Sequence, residues 1–415
     1  LALFMRDKPL TELGSLSRII KLLGQVVFLM QNKKSTIHNI SKMSSMNIVR
    51  KCAAGSGKTY EICRESSENQ QKVLIVTYTT RGIETIKSEL QSQNKGVIPS
   101  HITILSWYEF ILRELIKPYQ TCLFGINQIK GLRFDLIHKS NFIPKKDKKH
   151  YLQKSDDFRA ETAAELACFI NNETDGKPIE RLERIYRYIY IDEVQDLAGY
   201  DLDLILLLLQ SSINVTLVGD EKQASFTTNP RTKNKQMAGK NIWKFFDPHI
   251  KSGLVIEEKS LKSRRCNSTI CSFANSIYPS ETPITSIMTL NTGHDGVYII
   301  YKDDLEKYID CYHPTILRYN TKTDCNGYPG YNFGECKGMT FGRILIFPNK
   351  MLIKYIVDGT PIDHPEKYYI AITRAKHSVA IVMDSFTPSF QYLSCEISIE
   401  NGSINGYSYC PDNRI

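Results

Sequence analysis

Short runs of β-branched and aliphatic residues alternate along most of this chain with longer stretches whose apolar positions recur every three or four residues. That is the pattern of a parallel sheet covered by helices. In "KVLIVTYT" (72–79) the apolar run is almost unbroken, as a central strand buried on both faces requires. The following "TRGIETIKSELQ" places Ile83, Ile86 and Leu90 on one helical stripe. "MNIV", "YIYIDE" and "NVTLVGD" read as further strands, the last two separated by the helix "LDLILLLLQSS". Between Ser106 and Arg187 the pattern turns mostly helical, which predicts an insertion at about 108–187. Its lysine-rich "IPKKDKKHYLQK" reads as a solvated face. A second alternating block runs from Asn241 to the strand "HSVAIVMD", and the tail after Ser385 has no clear period. The expectation is a two-core α/β chain, with a first unit at 46–240, a second at 241–385 and a tail at 386–415.

The run "IIKLLGQVVFLM" (19–30) is interrupted by Lys21 and falls short of the roughly 20 residues that span a bilayer, so no membrane role is expected. With Met43 and Met46 just ahead of the first strand, residues 1–45 are expected to be an upstream extension or a poorly integrated arm. A length of 415 residues allows two to four domains at roughly 100–200 residues each. The net charge of +9 favours a polyanionic partner weakly, since a merely soluble protein also carries such a balance. Eleven cysteines without a C-x-x-C pair suggest neither a zinc site nor a disulfide framework, and read as reduced thiols of a cytoplasmic protein.

Chemistry enters at "RKCAAGSGKTYEI" (50–62). A phosphate cradle needs glycine where backbone N–H groups converge on the anion, a lysine for the β/γ-phosphates and a hydroxyl for Mg²⁺. Gly55, Gly57, Lys58 and Thr59 keep that end of a Walker A loop, while Cys52 stands where the strict pattern has its first glycine. A small side chain is tolerated there if the backbone stays at negative φ. Taken alone, GSGKT is equally a turn capping a helix. Asp192 and Glu193 follow an apolar strand at the carboxyl edge of the sheet, where ligands bind in open α/β folds. One carboxylate would serve Mg²⁺ and the other the attacking water, although two acids in that place also cap a following helix. Gln223, just after the next strand, would sense a γ-phosphate without repelling it.

In order, GSGKT, "TYTTRG", "TILSW", "IDEVQD" and "VGDEKQASF", then "LKSRRCNSTICSFAN", "GECKGMTFGRILIFP" and "YYIAITRAKHSVAIV", resemble the motifs of UvrD/Rep-like superfamily 1 helicases. The resemblance covers Asn47 to about Asp384. It implies two RecA-like P-loop domains closing over ATP, with a reduced helical insertion in the first and single-stranded DNA lying across both. It assigns Ala54, Gly55, Ser56, Gly57, Lys58, Thr59 and Tyr60 to nucleotide, Thr59 and Asp192 to Mg²⁺, Glu193 to the catalytic base and Gln223 to coupling. Arg265 and Arg374 become arginine fingers. Arg264 stands where the family has an aromatic that stacks on adenine, a contact its guanidinium plane can also make. Thr77, Tyr78, Thr79, Ser106, Trp107, Phe226 and Lys337 fall on the nucleic-acid track.

Two departures bear on function. Thr340 and Gly342 replace residues that are usually acidic in the family, and only about sixty residues (275–334) separate the motif IV and motif V segments, too few for the large second insertion of full-length relatives. The main expectation is an ATP-dependent single-stranded DNA translocase or helicase of 3′-to-5′ polarity. The alternative is an ATP-binding accessory subunit regulating a partner nuclease, as in an anti-phage complex. A P-loop kinase explains neither D-E-x-Q-D nor the arginines of the second unit.

Overall fold

The computed structural model describes residues 46–121, 129, 131–134, 143–152, 157–224, 233–280, 282–388, 391–400 and 402–411. The anticipated arm at 1–45 lies outside them. Six strands form the first sheet: β1 (Ile48–Cys52), β2 (Val73–Thr77), β3 (Ile102–Ser106), β4 (Tyr188–Ile191), β5 (Asn214–Gly219) and β6 (Ile256–Ser260). Their order is β3-β2-β4-β5-β1-β6, parallel throughout. All five residues of β2 are buried, which explains its lack of alternation. The helix Thr80–Gln93 buries Ile86 and Leu90, and its N-cap Thr79 accepts a hydrogen bond from the Gly82 N–H.

Among the described residues of 108–187, helices Ala163–Glu173 and Lys177–Ile185 pack into the same apolar cluster as the sheet. The first unit, however, does not stop at residue 240. Helix Ile242–Lys251 packs Ile242, Trp243 and Phe246 into the first core, and β6 pairs with β1 from Ile48↔Ile256 to Cys52↔Ser260. Strand β6 is the polar sequence "IEEKS" because it lies at the sheet edge with no buried position, so no periodicity marked it.

The second sheet comprises β7 (Gly296–Tyr301), β8 (Thr315–Arg318), β9 (Tyr331–Asn332), β10 (Phe341–Phe347), β11 (Ala375–Met383), β12 (Tyr392–Ile399) and β13 (Gly402–Tyr409). In the order β9-β8-β10-β11-β7-β13-β12, the first five strands are parallel and the last two antiparallel. Strands β12 and β13 correct the expectation of an aperiodic tail. Tyr392, Ile397, Ile404, Gly406 and Tyr409 are the buried residues of this pair, and the rest are mostly polar or glycine, a pattern too sparse to announce a strand.

Candidate nucleotide site between the two sheets

Strand β1 delivers the Walker loop. Cys52 is its last paired residue and is not among the residues with positive φ, so the missing glycine is not needed there. Left-handed backbone falls instead on Gly55 (φ 72°) and Gly57 (φ 90°). A Cβ on Gly55 would also lie 2.6 Å from the Arg265 Cβ and 2.7 Å from the Ser263 Oγ, so this glycine lets the loop touch the segment that leads into the second sheet. Backbone bonds fix that contact: Ala53 N donates to Ser260 O (2.8 Å) and Arg264 N to Gly55 O (2.8 Å). Ala54 and Ser56 are buried, and Lys58 and Thr59 open the helix Lys58–Glu68, whose N-terminal N–H groups favour an anion.

The two acids sit where β4 ends. Asp192 is buried and its Oδ1 accepts from the Glu193 N–H (2.9 Å). Glu193 takes φ 58°, a left-handed conformation that costs a non-glycine residue about 1–3 kcal/mol and tends to mark functional sites. Gln195 Nε2 donates to Glu193 Oε2, while its Oε1 accepts from the Asp220 N–H (3.0 Å), so one buried amide ties the Glu193 carboxylate to the end of β5. Lys58 Nζ lies 3.5 Å from Glu193 Oε1 and is buried without a hydrogen bond. An ammonium without a bond beside a glycine cradle suits a phosphate oxygen.

Electrostatics separate these groups. Burial works against the charged form of Lys58, but Glu193, Asp192 and Asp220 outweigh it and hold its pKa above the ordinary value. Burial, then the charge on Glu193, pushes Asp192 up. Burial acts the same way on Glu193, yet Lys58 and Lys337 overcome it and keep that carboxylate below its usual range. A base that must stay ionised beside a second carboxylate needs such cations.

The second core closes the site. Gln223 is buried and donates from Nε2 to Asp220 Oδ2 (2.7 Å), and its Oε1 accepts from Arg374 Nη2 (3.0 Å). Arg374 is 2% exposed and also donates from Nε to Ile370 O at 2.9 Å, from Nη1 to Met339 O at 3.3 Å and from Nη2 to Thr373 Oγ1 at 3.5 Å. Arg265 Nη1 donates to Thr373 O (3.1 Å), and burial followed by the charge of Arg374 pushes its pKa down to about 10. Among the described residues neither guanidinium has a carboxylate in salt-bridge range, so buried Arg374 and half-buried Arg265 face the interface with neutral hydrogen-bond acceptors and with Glu193 at longer range. Arg264, by contrast, is largely exposed, 3.7 Å from Glu61 and next in space to Gly57, on the same side as exposed Tyr60.

The expected nucleic-acid residues divide. Thr79 is exposed and Tyr78 half-buried, but Thr77 is buried with its Oγ1 against Gly82. Ser106 caps the helix Trp107–Phe110 in a capping box with Glu109. That turn drives Trp107 inward, where it is 1% exposed, donates from Nε1 to Asp201 Oδ1 (2.9 Å) and packs on Phe110. Trp107 is a core residue in this structure, which corrects its reading as a base platform. Phe226 lies outside the described residues.

Lys337 is corrected as well. Its Nζ crosses from the second core to both oxygens of buried Asp196, at 2.7 and 2.9 Å, and lies 3.9 Å from Glu193 Oε2. Burial pushes Asp196 up to about 7 against the pull of Lys337. Gln195, Asp196 and Asp220 were not singled out by sequence reasoning, although the first two lie in the quoted "IDEVQD". Their two- and three-residue spacing from Glu193 around a tight turn was the available signal.

Among the described residues, no cluster of three or more His, Cys, Asp or Glu side chains is placed to hold a metal ion, and no helix is long and apolar enough to cross a membrane. Thr59 and Asp192 would therefore hold Mg²⁺ only together with phosphate oxygens, the usual manner for this cation.

No curated protein matches the chain in sequence. Among solved structures it is similar to arterivirus nonstructural protein 10, a helicase, in complex with DNA, at 13% identity and a TM-score of 0.41 over 83% of this chain and 62% of that one. The crystal structure of arterivirus nonstructural protein 10 (helicase) is similar at 12% identity and a TM-score of 0.41, over 83% and 61% of the two chains. This chain thus spans about three-fifths of the length of those helicases. Residues 33–228, which include the Walker loop, the Asp192–Glu193 pair and Gln223, match the family model described as an AAA domain.

Proposed function

We propose that this chain is a UvrD/Rep-like superfamily 1 motor that hydrolyses ATP between two RecA-like units and moves 3′-to-5′ on single-stranded DNA. One observation carries the reading: Lys58 and Glu193 of the first core and Arg265 and Arg374 of the second converge on one buried interface. Lys58 exchanges its contact with Glu193 for the β/γ-phosphates, and the N–H groups of 55–59 cradle them. The Thr59 hydroxyl and Asp192 would hold Mg²⁺, which would supply neutralisation of phosphate charge. Glu193, kept ionised and held by Gln195, takes the proton of the attacking water. Arg265 and Arg374 stabilise the charge on the transferring phosphoryl group, and Gln223, bonded to Arg374, links their position to the first core. Arg264 and Tyr60 flank the place of the base.

The test is nucleotide hydrolysis by the purified chain with and without single-stranded DNA. A rate that rises with DNA and vanishes in Lys58→Ala is expected. A flat rate indifferent to DNA contradicts the motor reading and favours an accessory subunit that regulates a nuclease.

A further inference from the structure

Lys222, next to Gln223 in the first core, carries a buried ammonium without a conventional partner. The residue is 3% exposed, and among the described residues its Nζ makes no hydrogen bond and has no carboxylate in salt-bridge range. Asp220, whose Oδ1 accepts from the Lys222 N–H (3.1 Å), and Glu221 act on the ammonium only from further away, and burial pushes its pKa below the ordinary value. Folding alone disfavours such a charge, because an apolar side chain of similar volume would fill the space without the cost of desolvation. What the ammonium does meet is aromatic and comes from the second core. Its Nζ lies over the Tyr369 ring, 5.4 Å from the centroid, and over the Tyr278 ring at 5.8 Å, both within the roughly 6 Å reach of a cation–π contact. The two rings stand edge to face, 6.1 Å apart with planes at 87°. Tyr278 caps the end of helix Ser268–Ile277, and Tyr369 is fully buried in helix Glu366–Ile372, which runs directly into Thr373 and Arg374.

Adjacent residues of the first core therefore meet the Arg374 segment at two points: the Lys222 ammonium on the Tyr369 ring and the Gln223 amide on the guanidinium, at 3.0 Å. A single hydrogen bond leaves a segment free to pivot about it. A second contact, more than one helical turn earlier in the chain, fixes its direction. We propose that Lys222 is a positioning residue for hydrolysis: the Tyr278 and Tyr369 rings grip its ammonium and so hold helix Glu366–Ile372 where Arg374 is aimed at the transferring phosphoryl group. The inference rests on the motor reading and adds to it a residue of the first core that acts through Arg374 rather than on the nucleotide.

The experiment follows ATP hydrolysis by the full chain at saturating single-stranded DNA, with nucleotide affinity by calorimetry and stability by urea unfolding measured on the same variants. Lys222→Met, which keeps an unbranched stem and removes the charge, should lower kcat about 5- to 30-fold, the rate equivalent of losing a desolvated cation–π grip. Nucleotide affinity should stay within twofold, and the urea midpoint should hold at the wild-type value or rise, because the variant no longer buries an unpaired charge. Lys222→Arg keeps the attraction to the rings and should recover most of the turnover. Tyr278→Leu should slow the wild type severalfold and leave Lys222→Met unchanged, since the grip is already gone. Turnover of Lys222→Met within twofold of wild type overturns the proposal, as do additive losses in the double variant, or a loss accompanied by weaker nucleotide binding or a lower urea midpoint. A wild type that hydrolyses no ATP, or hydrolyses it indifferently to DNA, overturns the motor reading instead, a failure visible before any substitution is made.

Discussion

Removing Lys337 asks how firmly the second core holds the catalytic edge of the first. Its ammonium is 11% exposed and meets both oxygens of Asp196, which is 1% exposed, at 2.7 and 2.9 Å. Taking one partner from such a pair leaves a buried charge uncompensated, at a cost of about 3–5 kcal/mol. An interface can relieve part of that by opening and hydrating Asp196, so the lower end of the range, about 3 kcal/mol, is expected. An exposed pair would give only about 0.2–1 kcal/mol. The assay is a double-mutant cycle of Lys337→Ala, Asp196→Ala and the pair, read by urea unfolding at pH 8, where Asp196 is ionised. A coupling energy above about 2 kcal/mol is predicted, within the range for residues in direct contact. Repeating the cycle at pH 5 adds a sign. The folded pKa of Asp196 is raised to about 7 from an ordinary 3.8. Its contribution to stability is therefore fully present below about pH 4 and lost as pH rises through 7, a loss that Lys337 offsets. The coupling should shrink at pH 5. A coupling below about 0.5 kcal/mol at pH 8, or one indifferent to pH, refutes the bridge as a structural tie.

Other perturbations follow from the same geometry. Glu193→Gln keeps the Gln195 contact but removes the base, so nucleotide binding should persist while turnover falls by about 10²-fold or more; near-normal hydrolysis would take Glu193 out of that role. Asp196→Asn should flatten the decline in stability between pH 4 and 7, measured by urea titration at several pH values, whereas an unchanged profile would mean that Asp196 does not carry the raised pKa. Trp107→Ala should cost about 3–5 kcal/mol in unfolding free energy, and loss of DNA affinity at unchanged stability would return this residue to the track. Arg264→Ala should weaken nucleotide binding by about 0.5–2 kcal/mol, as loss of a stacked guanidinium does, with turnover at saturation little changed; unaltered affinity in calorimetry would remove the stacking role.

The site was legible in the sequence where chemistry restricts the residue type. Gly55, Gly57 and Lys58 admit few substitutes in a phosphate cradle, and the acids Asp192 and Glu193 end a strand whose apolar run is unmistakable. What sequence could not supply was side-chain direction. Ser106 and Trp107 are adjacent, and only the capping box at Ser106 decides that Trp107 turns fully inward while Tyr108 stays half-buried at the margin of the core. Lys337 was legible as a cation in the right segment, but its partner is 141 residues away and on the other core. The fold was readable for buried strands such as β2 and unreadable for β6, since an edge strand written "IEEKS" buries no residue fully and so shows no period. The β12–β13 hairpin was missed for a different reason: it does bury residues, but too sparsely along each strand to show a period.

Whether both cores share one site is tested most directly by Arg374→Ala. This guanidinium comes from the second core, reaches Gln223 of the first at 3.0 Å, and touches no phosphate-cradle residue in the hydrogen bonds it makes. Steady-state ATP hydrolysis should be measured for wild type and Arg374→Ala while single-stranded DNA is titrated, with nucleotide affinity measured in parallel. Arg374→Ala should fold, retain nucleotide binding and lose about 10³-fold in DNA-stimulated turnover, the scale of a lost arginine finger. DNA-stimulated turnover within twofold of wild type would contradict a shared site, because hydrolysis would then need only the first core.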